Sequence, residues 1–163
     1  MTLDDYDHRL LAEIQRDATL PQSELGERVN LSAAAVNRRL KRYRDEGIVR
    51  RQVALVEPEQ LGHPLTLVVQ VEVESERIDL LDAMKRSFAR CPQVQQCYYT
   101  AGEWDFVLIL AVRTMEQYTE LTRSLFFESN NVRRFKTLVS MSNVKVGLEI
   151  PTGLDAPQGA ARS

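Results

Sequence analysis

The chain of 163 residues holds only two cysteines, seven glycines and six prolines, and aromatics make up 7% of it. Two cysteines cannot build a disulfide scaffold, and so little glycine and proline excludes a collagen-like or low-complexity chain. The longest apolar run, residues 106–112, covers seven positions where a membrane-spanning helix needs about twenty. No membrane partner is expected. With 21 basic and 23 acidic residues the net charge is -2, which argues against indiscriminate adhesion to polyanions. The opening MTLDDYDHRLLAEIQRD carries early acids and no basic stretch before an apolar one, the opposite of a secretory or transit signal, so a cytoplasmic location is expected.

Catalytic and metal signatures are missing too. Cys91 and Cys97 lie far in sequence from His8 and His63 and fit neither zinc-ligand nor C-x-x-C redox spacing. Two buried structural thiols and no metal are expected. The chain has no P-loop, no dinucleotide glycine motif, no G-x-S-x-G elbow and no H-E-x-x-H helix. Neither an enzyme nor a cofactor is expected. What the chain does have is 44% hydrophobic residues, enough for one domain or two small ones to bury a core.

It also has a basic island. Residues 38–51 hold Arg38, Arg39, Lys41, Arg42, Arg44, Arg50 and Arg51 against Asp45 and Glu46, whereas residues 56–163 hold 11 basic and 14 acidic side chains. A local cluster in a slightly acidic chain marks a local anion-binding surface or a solvated helix face, and its setting favours the first. Asp4 is placed to cap a helix, with Asp7 three residues on and Leu10, Leu11 and Ile14 following at helical spacing. A second helix is predicted over about 22–29, burying Leu25 and Val29, and Asn30 suits a left-handed turn. Ser32 caps a third helix over 33 to about 45, whose Val36, Leu40 and Tyr43 form a packing stripe, and Ser32 is itself a candidate anion contact at the start of that helix.

At about 100° per residue, the opposite face of that third helix carries Ala34, Arg38 and Lys41, flanked by Asn37 and Arg42. A helix entering the DNA major groove needs this chemistry. Ala34 and Ala35 can touch thymine methyls, Asn37 can pair with adenine and Arg38 with guanine, and Lys41 and Arg42 can meet phosphate. Residues 48–53 read as a short β-wing from which Arg50 and Arg51 straddle the backbone, making residues 1–56 a winged helix-turn-helix. The partner is then an operator in double-stranded DNA.

Residues 57–64, with two prolines and a glycine, are a linker. Beyond it the pattern predicts a strand from Leu65 to Val73, a helix over 78–90, strands over 94–100 and 105–113 joined through Ala101-Gly102-Glu103-Trp104, a helix over 115–128 and a strand over 134–145. This β-α-β-β-α-β order is the ferredoxin-like split motif, so the fold class is α+β with the second domain spanning 65–150. The strand over 105–113 is apolar on both faces although helices cover one side of such a sheet. The uncovered face predicts pairing with a second copy. Residues 151–163 lack periodicity and read as a disordered tail.

Leu3-Asp4 with Asp7 and Leu10-Leu11, Leu25 with Val29-Asn-Leu-Ser32, Val36 and Arg39 with Glu46-Gly47-Ile48, Leu61-Gly62 and Tyr99-Thr-Ala-Gly102-Glu-Trp-Asp105 together resemble the leucine-responsive regulatory protein and AsnC family over residues 3–150. Asn30 stands where the family usually has glycine, and Arg51-Gln52 where many members have Gly-Tyr. The resemblance implies a transcription regulator that dimerises through its C-terminal domain, assembles further, often to octamers, and binds a small amino acid between dimers. It implies that Gly102 offers backbone N–H to the effector carboxylate and Asp105 accepts from its ammonium group, within a hairpin that includes Glu103 and Trp104. Thr100 and Ser142, expected on adjacent strands, complete the candidate pocket. Apolar Ala101 and Trp104 favour an uncharged effector. Two rival readings remain from the residues alone: a small ferredoxin-like enzyme, for which residues 57–65 lack the arginine and asparagine an acyl phosphate hydrolase needs, and an adaptor that binds protein partners through its helical unit.

Overall fold

In a computed structural model, residues 2–128 and 131–153 are described, and they fall into two compact units. One comprises the described residues of Met1–Ala54 with those of Lys145–Ser163, the other Leu55–Val144. Most of the expected tail lies outside the described residues.

The helical unit is built from α1 (Asp5–Arg16), α2 (Gln22–Val29) and α3 (Ala33–Asp45). The Asp4 side chain accepts from the Asp7 N–H and the Asp7 side chain from the Asp4 N–H, so both ends of a capping box are closed. Asn30 takes the left-handed conformation at φ 58, and its N–H and that of Leu31 both return to the Gly26 carbonyl. Ser32 then caps α3 by accepting from the Ala35 N–H at 3.2 Å. Leu10, Leu25, Val29, Val36 and Tyr43 are buried together, which is the packing the helical stripes require.

Gly26 is the tightest point of this unit. A Cβ there would sit 2.3 Å from the Leu31 carbonyl oxygen. The expected wing does not form as a strand: after Gly47 the Val49 N–H bonds the Tyr43 carbonyl at 3.0 Å, and residues 50–57 continue without ladder pairing. A two-stranded wing needs a partner strand, and no strand is assigned within the described residues of this unit. The far segment joins the unit differently, because the Gln15 side-chain amide both donates to the Ile150 carbonyl and accepts from the Ile150 N–H, at 3.0 and 2.8 Å.

The second unit follows the β-α-β-β-α-β order: β1 (Leu65–Val73), α4 (Ile78–Arg90), β2 (Val94–Tyr99), β3 (Phe106–Val112), α5 (Met115–Thr122) and β4 (Val132–Val139). α5 runs on into a π-helical turn, Arg123–Phe127, and β4 ends six residues before the expected 145. The antiparallel sheet has order β2-β3-β1-β4. Leu67, Val69, Val71 and Val73 alternate inward with Phe106, Leu108 and Leu110 beneath Leu81, Met84, Phe88 and Phe126, so one face of the sheet is dry. On the other face Val68 pairs with Ile109 and with Leu138, which is 44% exposed. The cysteines are not buried as expected: Cys91 is half-buried and Cys97, on edge strand β2, is exposed, and both are free.

Candidate nucleic-acid interface and effector hairpin

α3 presents the expected face. Ala34, Asn37, Arg38 and Lys41 are exposed and Ala35 half-buried, with the Asn37 oxygen accepting from Gln22 at 3.3 Å. Arg38, Lys41, Arg44, Arg50 and Arg51 have no acidic partner among the described residues. Ser32 serves as the cap of α3, so its oxygen already has a donor.

Arg42 behaves differently from the sequence expectation. Its Nη2 donates to the Asp7 carboxylate at 2.5 Å, and its Nε is buried with no acceptor. Arg39 donates to the same Asp7 oxygen and, at 3.0 and 2.9 Å, to both oxygens of Asp4. The Tyr43 hydroxyl donates to Asp7 at 2.6 Å. Two of the island's seven cations are thus committed to ion pairs within the chain. Burial pushes the Asp7 carboxyl up, but hydrogen bonds from Tyr43, the Asp4 N–H, Arg39 and Arg42 outweigh it and hold the group well below the usual carboxylate range. Burial and the bond to Asp7 raise the Tyr43 phenol. The cluster was readable in part, since Asp7 falls on the same helical stripe as Leu10, Leu11 and Ile14.

In the second unit the hairpin after β2 folds over the end of β1. Thr100 donates its N–H to the Asp105 carbonyl at 2.8 Å and its hydroxyl to the Trp104 carbonyl, closing the turn. Gly102 is exposed at φ 148, a backbone region other residues avoid. Glu103 pairs with Arg134 of β4 at 3.2 Å, and the same guanidinium lies 4.6 Å from the Trp104 ring centroid. Sequence reading missed Arg134, which reaches the hairpin only because β4 lies beside β1.

Asp105 has a structural task. Its Oδ2 accepts the Val73 N–H at 2.7 Å, at the β1 position where the register with β4 shifts. Ser142 is not on a strand next to Thr100: β2 and β4 are opposite edges of the sheet, and Ser142 follows the end of β4 far from the hairpin end. One chain brings Thr100, Gly102, Glu103, Trp104 and Asp105 together and leaves Ser142 apart, because the strand order separates two segments whose apolar patterns look alike.

A three-helix unit with a basic, amide-bearing helix face, followed by a ferredoxin-like unit, defines a class of DNA-binding regulators. Residues 3–50 match the winged helix-turn-helix DNA-binding family and residues 66–150 the Lrp/AsnC ligand binding domain. The chain belongs to the Lrp/AsnC family of transcription regulators. It is 40% identical over 151 residues to the uncharacterized HTH-type transcriptional regulator y4tD of Sinorhizobium fredii, covering 93% of this chain and 89% of that one. It is 30% identical over 149 residues to the DNA-binding transcriptional activator DecR of Escherichia coli, covering 91% and 98%. A crystal structure of an AsnC family transcriptional regulator from Agrobacterium tumefaciens superposes with a TM-score of 0.87 at 25% identity, over 93% of this chain and 98% of that one. A Neisseria meningitidis transcriptional regulator in complex with L-Met superposes at 0.86 with 28% identity, over 92% and 97%. No described helix is long and apolar enough to cross a membrane.

Proposed function

We propose that the chain reads operator DNA with α3 and adjusts that reading to a small uncharged amino acid bound at the β2–β3 hairpin. The observation that carries the first half is the exposed row of Asn37, Arg38 and Lys41 behind the small residues Ala34 and Ala35. Small residues let the helix approach the groove, the amide and guanidinium address base edges, and Lys41, Arg44, Arg50 and Arg51 meet phosphate. Residues 1–56 form the DNA-binding domain in this reading and 65–150 the effector domain, joined by 57–64.

An amino acid is a zwitterion and needs donors and an anion a few ångströms apart. Gly102 supplies an exposed backbone N–H and Asp105 a carboxylate with one oxygen beyond its bond to Val73. The Trp104 ring, held by Arg134, offers an apolar wall, and the L-Met bound by the Neisseria relative is an effector of the expected class. Thr100 shapes the turn. Ser142, apart from the hairpin within one chain, contributes only from another copy. Self-association through the uncovered sheet face with Val68, Ile109 and Leu138 gives the dimer, and further assembly the octamer. The cytoplasm is the compartment of such a regulator.

The test is a mobility shift on the DNA upstream of the protein's own gene, with and without L-Met, L-Leu and L-Glu, alongside thermal shift with the same amino acids. Asp105→Asn is the informative variant, because an amide oxygen can still accept the Val73 N–H while the partner of the ammonium group is gone. It is expected to retain its fold and basal DNA binding and to lose the effector response. An unaltered response in that variant removes the hairpin as the site.

A further inference from the structure

Apart from Asn37, Arg38 and Lys41 and the hairpin, the densest group of charged side chains gathers around the buried Asp7, where α1 meets α3. We infer that Asp7 is a positioning residue for DNA reading, which fixes the rotation of α3 about its own axis and keeps Arg39 and Arg42 away from phosphate. This inference rests on the DNA-binding reading and names the part of the helical unit that sets its accuracy.

The geometry carries it. Asp7 is 1% exposed, and one of its oxygens accepts from Arg39, Arg42 and Tyr43. Those residues sit at i, i+3 and i+4 of α3, with Arg39 and Tyr43 on the side away from Asn37, Arg38 and Lys41 and Arg42 at its border beside Arg38. The other oxygen accepts the Asp4 N–H at 3.0 Å, so the carboxylate cannot turn without opening the capping box of α1. Apolar packing of Val36, Leu40 and Tyr43 is non-directional and tolerates small rotations of a helix. Hydrogen bonds to one buried charge do not, since they weaken steeply with angle. A small rotation of α3 about its axis would carry the Arg38 tip, at the end of a long side chain, out of register with a base edge. The Arg42 Nε is buried without an acceptor, so the pose that brings Nη2 to Asp7 leaves one of its own donors unpaired.

Three variants test the inference on a duplex enriched from a randomised pool by the unaltered protein, with poly(dI-dC) as the unspecific probe and circular dichroism confirming the fold at the assay temperature. Asp7→Asn is expected to lose about tenfold or more in affinity for the enriched duplex. Its affinity for poly(dI-dC) is expected to hold or rise, and its salt slope to steepen by about 0.9 for each released arginine that reaches phosphate. A role in stability alone would weaken both DNAs alike with the slope unchanged, and that result overturns the inference. Arg42→Gln and Arg39→Lys decide the matter should Asp7→Asn fail to fold. Both are expected to lower the preference for the enriched duplex, and Arg42→Gln to leave the salt slope as it was. A slope shallower by about 0.9 in Arg42→Gln makes Arg42 a phosphate ligand and refutes the proposal. If the unaltered protein enriches no duplex at all, the DNA-binding reading falls first and the inference with it.

Discussion

Gly26→Ala is the substitution for which structure and helix propensity give opposite signs. In an isolated helix alanine is preferred to glycine by about 1 kcal/mol, so a reading of α2 alone predicts a more stable protein. In the folded unit the added Cβ would stand 2.3 Å from the Leu31 carbonyl oxygen, roughly 1 Å inside the closest ordinary carbon–oxygen approach, and the obstacle is backbone that no rotamer can move. The turn must shift, and it is held by the Asn30 and Leu31 N–H groups bonded to the Gly26 carbonyl. Weakening those two bonds costs about 1 kcal/mol each, and overpacking adds about 1–3 kcal/mol. Against the propensity gain the net expectation is a loss of roughly 2–4 kcal/mol. Urea denaturation of the full chain reads it, because far-ultraviolet circular dichroism follows the helices of both units while Trp104 fluorescence follows only the second, so the dichroism change that does not track Trp104 reports the helical unit. The expected result is an earlier helical transition with the Trp104 transition unmoved. A helical midpoint equal to or above that of the parent protein refutes the reasoning and shows that the turn relaxes at no cost.

Acid should weaken the helical unit through Asp7. Its folded pKa is depressed, so the stability it contributes is present above the unfolded carboxyl value of about 4 and is lost as pH falls through the folded one. Urea midpoints at pH 7, 5 and 3 check this, and Asp7→Asn should remove its part of the decline. At the alkaline end Tyr43, raised by burial and by its bond to Asp7, contributes stability present below about pH 10 and lost above it, which Tyr43→Phe should abolish. Ser32→Ala removes the oxygen that accepts the Ala35 N–H and is expected to cost about 1 kcal/mol by the same denaturation assay. Arg38→Ala should cost roughly 1–3 kcal/mol in operator binding and flatten sequence preference, whereas Arg50→Ala should weaken all duplexes alike, as competition mobility shifts would show.

Local pattern determined much of this protein from its sequence alone. Caps at Asp4 and Ser32, the turn at Asn30 and the 3.6-residue stripes define α1, α2 and α3, and the two-residue alternation of Leu67, Val69 and Val71 defines β1. These signals are local because helix and strand geometry repeats over a few residues, and they fix which side of α3 is exposed and basic. What tertiary structure decided is which polar groups meet. Arg39 and Arg42 look like their exposed neighbours in sequence, yet a helix crossing brings them to Asp7. Asp105, expected from the resemblance to accept an effector's ammonium group, takes the Val73 N–H once the sheet brings it near, and Ser142, expected on a strand beside Thr100, lies past the end of β4, which is the opposite edge from β2. The Gly26 contact is invisible in composition and periodicity alike. Each of these depends on distances between segments far apart in the chain, and a hydrogen bond or a steric clash is settled within a few tenths of an ångström, well below what a hydrophobic pattern can specify.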